Sequence, residues 1–171
     1  ARPPPGGPAG GHGVKLPGAL PDLLGAADLR LPDIEGYAVG LGPGSFTGLR
    51  IGLATWKGLA YANRRPIAGA SSLAAMAAEA AGVAPAERLL VPLLDARKGE
   101  VYAGFYRAAG GRVEPFRPEA ALSPTALQDL LPGPGTAVGF GGGDKAFRGE
   151  PGAALPPPPA APARPPPFPA A

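Results

Sequence analysis

The sequence predicts a mixed α/β fold, on three observations. Apolar runs of strand length alternate with segments of helical periodicity through residues 34–81, an order typical of α/β proteins. Residues 89–116 then have the pattern of three antiparallel strands joined by two turns, a β-meander. A capped helix and a last strand follow at residues 124–131 and 136–140.

Turn residues and capping residues bound the elements of the first half. Residues 12–24 have the apolar spacing of a helix, although prolines and a glycine inside the segment oppose one. Residues 34–41 form a short predicted strand that ends at a Gly-Pro-Gly turn, and residues 45–62 a helix that begins at a serine cap. Residues 66–70 are predicted to be a second, buried strand. Two serines then precede an alanine-rich helix at residues 73–81, which a glycine ends.

The meander of the second half is delimited by polar turns. An apolar run at residues 89–94 predicts its first strand, and the sequence V-Y-A-G-F-Y-R at residues 101–107 predicts its second. Between them, the D-A-R-K-G sequence of residues 95–99 is a polar turn. A third strand is predicted at residues 112–116.

Length and composition suggest the domain organisation. The chain has 171 residues, the length of one ordinary domain or two small ones. Glycine and proline are abundant, at 28 and 26 residues, and most of the prolines lie near the two ends, where too few apolar residues remain to offset the entropy of ordering. The predicted organisation is a flexible segment at residues 1–11, an incomplete first α/β lobe at 12–82, a second α/β lobe at 83–149 and a proline-rich tail at 150–171.

Charge and residue usage exclude several classes of function. The net charge of +3 is small and its cations are scattered, so a nucleic-acid partner is permitted but not indicated. The absence of cysteine excludes disulfides, thiolate metal sites and a cysteine nucleophile. With no apolar run of 18 residues and no leader-like start, we expect a soluble cytoplasmic protein without a membrane partner.

The most informative segment is the glycine-bearing helix and the turn before it, G-P-G-S-F-T-G-L-R-I-G-L-A-T-W-K-G at residues 42–58. Gly44, Gly48 and Gly52 are four residues apart and share one side. A glycine inside a helix costs about 1 kcal/mol relative to alanine, so two of them need a reason. Either another backbone packs closely there or an anion binds the amides at the helix start. The Lys-Ser/Thr pair of a Walker loop is absent, which favours packing.

Other polar segments are weaker candidates. The turn at Gly42 and Gly44, and the loop with Gly142 and Asp144, are both candidate anion or nucleotide sites, because glycines let backbone amides converge on a phosphate. Carboxylates and cations in the D-A-R-K-G-E turn at residues 95–100 are more typical of a solvated hairpin than of a catalytic pair.

No catalytic constellation emerges from the residues. His12 is the sole histidine, which excludes multi-histidine metal sites, and it lies beside the flexible N-terminal segment. Ser45, Ser71 and Ser72 are best explained as helix caps, and no nucleophile–base pair can be assembled. We therefore predict no catalytic residues and no metal site.

The glycine-bearing segment closely resembles the signature of the bacterial TsaB family, also called YeaZ. The resemblance continues into the Ser71-Ser72-Leu73 cap, the L-D-A-R-K-G-E-V-Y sequence of residues 94–102 and the spacing of the helix after Ser123. It covers roughly residues 33–144. The family's usual N-terminal β-hairpin with a D-T-S-type motif has no counterpart here, so we expect the N-terminal strands of the fold to be missing.

The resemblance implies a degenerate actin-like fold of the ASKHA, ribonuclease H-like type. It also implies a non-catalytic partner of TsaD, which with TsaE makes N6-threonylcarbamoyladenosine beside the anticodon of tRNA. On this basis we expect a homodimer when the chain is alone, an indirect relation to tRNA and no cofactor, with ATP or ADP entering only at the level of the complex. The family was once described as an M22-type glycoprotease, but this sequence lacks the metal-binding histidines for proteolysis.

In the TsaB family the helix after G-P-G-S-F-T-G packs, with the helix before it, against the partner. Carried over to this sequence, the resemblance implies a partner-binding site made of Ser45, Phe46, Thr47, Gly48, Leu49, Arg50 and Gly52. The alternative function is an actin-like nucleotide-binding enzyme of the ATPase type, suggested by the two glycine-rich loops.

Overall fold

The computed structural model describes residues 12–82, 88–109, 112–133 and 136–143 and confirms the mixed α/β class. The chain divides into two compact units, Ala1–Gly69 and Ala70–Ala171. Within the described ranges, none of the helices is both long enough and apolar enough to cross a membrane.

The first unit contains two helices and a two-stranded sheet, and it confirms the predicted element order. Its elements are helix α1 (His12–Ala26), a 3-10 turn (Leu31–Asp33), strand β1 (Tyr37–Gly40), helix α2 (Phe46–Asn63) and strand β2 (Ile67–Ala70).

Helix α1 forms although its sequence contains Pro17 and Pro21. Each proline removes one backbone donor, which weakens a helix in isolation. Helix α1 packs against α2, and tertiary packing of this kind supplies most helical stability in proteins. The predicted helix is therefore confirmed and extends to Ala26.

The prediction that the second strand is buried is wrong. All four residues of β2 are exposed, and among the described residues β2 pairs with β1 in a sheet of two strands. The apolar composition that suggested burial identified the strand correctly. It did not reveal that the sheet would have so few strands.

Side chains of β1 and α2 pack against each other and form a hydrogen bond, which positions the helix on the sheet. The ring of the buried Tyr37 lies 5.8 Å from that of Trp56 at an angle of 36°. The Asn63 amide donates a hydrogen bond of 2.9 Å to the Tyr37 hydroxyl and another of 3.0 Å to the Leu59 carbonyl. The orientation of α2 thus depends on a tilted aromatic pair and a hydrogen-bonded asparagine side chain.

The second unit is a four-stranded sheet with a helix on each face. Helix α3 (Ser72–Ala81) and strands β3 (Leu89–Arg97), β4 (Glu100–Ala109) and β5 (Arg112–Leu122) precede helix α4 (Pro124–Leu130) and strand β6 (Ala137–Phe140). The strand order is β5-β4-β3-β6, with the β3–β4–β5 meander antiparallel and β6 parallel to β3. The predicted meander is confirmed, with longer strands than expected.

Alternate residues of β3 supply the two hydrophobic clusters of this unit. Leu89, Val91 and Leu93 point to one face, where α4 contributes Leu127. Leu90 points to the other face. There α3 covers the sheet with Leu73 and Ala77. Burial on both faces explains why β3 begins as a continuous apolar run.

The boundary between the units differs from the one predicted after residue 82. Contacts of α3 with β3, β4 and β5 place this helix in the second unit, and the division falls between Gly69 and Ala70. The apolar side of α3 covers the meander, which sequence order alone does not indicate.

A hydrogen-bonded cluster joins the start of α3 to β4 and β5. The Ser71 hydroxyl caps α3 by accepting from the Leu73 and Ala74 amides at 3.1 and 3.3 Å, and it donates to the Glu119 carboxylate at 2.5 Å. The Tyr106 hydroxyl donates to the same carboxylate oxygen. Burial and this hydrogen bond to Glu119 raise the pKa of Tyr106 from 10.0 to about 12.

Because the pKa of Tyr106 is raised, the stability that this cluster contributes decreases at alkaline pH. Because the unfolded chain loses the Tyr106 proton near pH 10 and the folded chain only near pH 12, this contribution to stability is complete below pH 10 and lost toward pH 12. We expect Tyr106→Phe to lower the free energy of unfolding by about 1 kcal/mol at neutral pH. Urea unfolding between pH 7 and pH 11 should show a shallower alkaline decline for the variant. Equal declines would contradict this account.

Candidate functional site

The start of α2 is built by a tight turn and a serine cap. Strand β1 ends at Gly40, and the chain turns through a cis peptide bond between Gly42 and Pro43. The Ser45 hydroxyl accepts a 3.3 Å hydrogen bond from the Gly48 amide, which confirms its assignment as a cap. The cap already satisfies one of the amides that an anion would need.

Gly42 has a structural explanation of its own. Its φ of +103° is a backbone conformation that favours glycine, and a Cβ at this position would lie 3.0 Å from Leu49 Cδ1. Leu49 therefore folds back over the turn that precedes its helix. Gly44 differs, since it is exposed and no atom would lie within 4 Å of its Cβ.

The glycine side of α2 is not filled by other described parts of the chain. A Cβ added at Gly52 would have no neighbour within 4 Å, and one at Gly48 would meet only its own cap residue Ser45, at 3.4 Å. Close packing inside the described residues therefore does not explain these glycines. A contact with a second molecule is a packing explanation that this open side allows.

The residues predicted to bind a partner form a mixed polar and apolar surface at this end of α2. Ser45, Phe46, Thr47 and Arg50 are exposed, whereas Gly48, Leu49 and Gly52 are half-buried. The Phe46 side chain is 73% exposed. The Arg50 guanidinium lies 5.0 Å from the centre of the Phe46 ring. Leu53 on α2 and Leu23 on α1 are also exposed. Exposed aromatic and arginine side chains are the residue types enriched at protein interfaces.

The second glycine-rich loop is shaped by packing in the described part. Gly141 has φ +110°, and a Cβ there would lie 2.3 Å from the Leu93 carbonyl oxygen. Gly143 would meet the same residue's backbone at 3.0 Å. Gly142 is exposed with no atom within 4 Å, while Asp144 lies outside the described residues. Gly141 and Gly143 therefore allow the backbone of this loop to pass close to Leu93 of β3, where a side chain would not fit.

The D-A-R-K-G-E segment is the tip of the β3–β4 hairpin. Strand β3 runs on to Arg97, so the turn itself is confined to Lys98 and Gly99. The Asp95 carboxylate accepts a 2.7 Å hydrogen bond from the Arg97 amide. This carboxylate shapes the turn, as expected of a solvated hairpin.

A basic cavity at the opposite end of α2 was missed from the sequence. Its volume is about 640 Å³, and it is lined by Lys57, Ala60, Tyr61, Ala62, Arg64, Arg65 and Ile67. Lys57 and Tyr61 are four residues apart on α2, and the two arginines follow the helix directly. This spacing is visible in the sequence, but cations are scattered along the whole chain, so the pattern offered no reason to assign these three to one site.

Known proteins share the sequence pattern and the fold of this chain. A family model described as "TsaD: tRNA N6-adenosine threonylcarbamoyltransferase" matches residues 5–147. The "tRNA threonylcarbamoyladenosine biosynthesis protein TsaB" of Bacillus subtilis is 37% identical over 108 residues, which cover 63% of this chain and 46% of that protein. The protein of the same name from Escherichia coli is 37% identical over 121 residues, covering 70% of this chain and 52% of the relative.

Solved structures agree with these relatives. The structure "YeaZ from Pseudomonas aeruginosa" matches with a TM-score of 0.71 at 34% identity, over 78% of this chain and 63% of that one. A second structure, an uncharacterized protein "with similarity to peptidase YEAZ from Pseudomonas aeruginosa", matches with a TM-score of 0.65 at 35% identity, over 76% of this chain and 59% of that one.

Fold and matches together define an α/β protein of the actin-like class. The chain belongs to the TsaB (YeaZ) family, within the group that the TsaD family model describes. It spans about half the length of the curated relatives it matches, 46% and 52%.

Proposed function

We propose that this chain is a non-catalytic accessory subunit in the synthesis of threonylcarbamoyladenosine on tRNA. It binds and activates TsaD, the threonylcarbamoyl transferase, and through that complex meets TsaE and tRNA in the cytoplasm. The names of its relatives support a place in this biosynthesis. ATP or ADP belongs to the assembled complex rather than to this chain.

The observation that carries the proposal is the unfilled glycine side of α2. Gly52 is half-buried, yet outside the neighbouring backbone of its own helix no atom of the described chain would lie within 4 Å of its Cβ. A glycine in mid-helix costs about 1 kcal/mol, and an approaching helix can use the missing side chain to come close. We propose that α1 and α2 together present this surface to TsaD, and that two copies of the chain use it to form a homodimer when TsaD is absent.

Co-elution with TsaD tests the proposal. Mixed in equal amounts and passed over a sizing column, the full chain and TsaD should elute as one complex, and the homodimer peak should disappear as the complex forms. A control with Gly58→Leu, which lies on another side of α2 from Gly52, should behave as the parent chain does. Separate elution of the two proteins at micromolar concentration would overturn the proposal.

The second candidate is an actin-like nucleotide-binding enzyme, favoured by the exposed Gly44 and Gly142 with open space around them. Calorimetry with ATP and with ADP on the isolated chain decides between the two. Heat of binding in the absence of TsaD would favour the enzyme, whereas no heat at high protein concentration favours the accessory subunit.

A further inference from the structure

The basic cavity at the C-terminal end of α2 has the composition of a ligand site. Its volume of about 640 Å³ is in the range of known binding clefts, and all its lining residues come from one unit. Three of the seven lining residues are cations, Lys57, Arg64 and Arg65, and none is acidic. A ligand suited to this cavity carries negative charge.

The three cations keep hydrogen-bond donors that a ligand could use. The Arg65 guanidinium is anchored by a 3.2 Å hydrogen bond to the Pro32 carbonyl, and an arginine has five N–H donors. Among the residues that the structure describes, neither Lys57 nor Arg64 lies within 4.0 Å of a carboxylate. Unpaired cations of this kind attract phosphate groups.

The backbone holds this end of the helix in a fixed shape. Arg64 adopts the left-handed conformation, with φ of 52° and ψ of 44°. Its amide donates to the Ala60 and Tyr61 carbonyls, and the Arg65 amide donates to Ala60 at 2.9 Å. These bonds end the helix, and the two successive arginines lie at the turn that they form.

An exposed aromatic side chain completes the cavity. Tyr61 is 89% exposed, and it lines the cavity together with Ile67, which is 39% exposed, and the buried Ala60, at 4%. Flat aromatic rings next to cations are how proteins bind single-stranded RNA, because bases stack on the ring while cations hold the phosphates. A free nucleoside triphosphate fits less well, since it is typically held by converging backbone amides at a helix start, and this cavity lies at a helix end.

We infer that Lys57, Tyr61, Arg64 and Arg65 form a contact for a single-stranded segment of RNA, with an unpaired base stacked on Tyr61. The inference rests on the proposed function, in which the complex acts beside the anticodon, and it gives this chain an RNA contact of its own. The site lies at the opposite end of α2 from the surface proposed for TsaD.

The test is the binding of a fluorescently labelled anticodon stem–loop to the full chain, measured by anisotropy at several salt concentrations. Lys57→Gln with Arg64→Gln should weaken binding about 10-fold and reduce the slope of log affinity against log salt by about 1.4, because two phosphate contacts are lost. Tyr61→Ala should weaken binding about 5- to 10-fold and leave the slope unchanged, since stacking involves no counterion release. Tyr61→Phe keeps the aromatic ring and should bind the RNA with the affinity of the parent chain.

The matched control is Arg97→Gln with Lys98→Gln, which removes the same charge, one arginine and one lysine, from the exposed tip of the β3–β4 hairpin in the other unit. It should change the affinity less than 2-fold. Equal losses in both double variants, or no effect of Tyr61→Ala, would overturn the inference. Displacement of the RNA by equal concentrations of AMP or inorganic phosphate would overturn it as well, in favour of a free nucleotide or phosphate.

Co-elution of the cavity variants with TsaD separates this inference from the proposed function. If the variants still bind TsaD and the parent chain does not bind RNA, the RNA contact fails while the accessory role stands. If the parent chain itself does not bind TsaD, the proposed function fails instead.

Discussion

Replacing Gly52 by leucine should weaken the binding of TsaD to this chain by about 5- to 150-fold, or about 1–3 kcal/mol. The reason is steric: a leucine side chain would fill the space that the proposed partner helix occupies. In the homodimer both copies would carry the substitution, so self-association should be lost at lower protein concentrations than in the parent chain. Calorimetry with TsaD and sedimentation of the chain alone measure the two effects.

The folded monomer should tolerate the same substitution. Outside the neighbouring backbone of its own helix, no atom of the described chain would lie within 4 Å of a Cβ at position 52, so the first atom of the new side chain meets no obstacle. Leucine also favours a helix over glycine by somewhat under 1 kcal/mol, so thermal unfolding should shift upward. Gly58→Leu is the matched control, because Gly58 also has open space but lies on another side of α2. Unchanged association in Gly52→Leu, or an equal loss in Gly58→Leu, would refute the proposed surface.

The largest effect on stability is expected from Gly141→Ala, about 3 kcal/mol or more. The added Cβ would lie 2.3 Å from the Leu93 carbonyl oxygen and 2.6 Å from Met76 Cε. The φ of +110° adds backbone strain of about 1–3 kcal/mol for any residue with a side chain. Urea unfolding of the full chain measures the loss of stability.

Gly142→Ala is the control for this loop and tests the anion interpretation at the same time. Gly142 is exposed with open space, so the free energy of unfolding should change by less than about 0.5 kcal/mol. If the loop served phosphate binding and not packing, Gly141→Ala would be as stable as the parent chain and would instead lose affinity for ATP. That outcome would contradict the packing role assigned to Gly141.

Local signals in the sequence predicted most of the secondary structure. The serines before α2, α3 and α4 were expected to be caps, and Ser45, Ser71 and Ser123 each accept hydrogen bonds from their helices. The same prediction for Ser72 is wrong, because Ser72 is the first residue of α3 and Ser71 caps the helix. Caps act over three or four residues, so their effect is visible in sequence. The same holds for the alternation and turns that predicted the β3–β4–β5 meander.

Properties that depend on tertiary neighbours were not predictable. The exposure of β2 follows from the small number of strands in its sheet, and the length of β5 from pairing with β4 as far as Leu122. The glycines of the two candidate loops looked alike, yet Gly42 and Gly141 accommodate Leu49 and Leu93, while Gly44 and Gly142 do not touch other residues. The basic cavity joins α2 to residues beyond its end, so no single periodic pattern contains it.

Hydrogen exchange of the full chain with and without TsaD tests the central claim most directly. Amides at the start of α2 and in the turn before it, residues 42–53, should exchange more slowly in the complex, because the partner would exclude water and suppress fraying of the helix. Peptides from β3 and β4 should exchange at the same rate in both states. Protection of the loop at residues 141–143 with none in residues 42–53 would contradict the account.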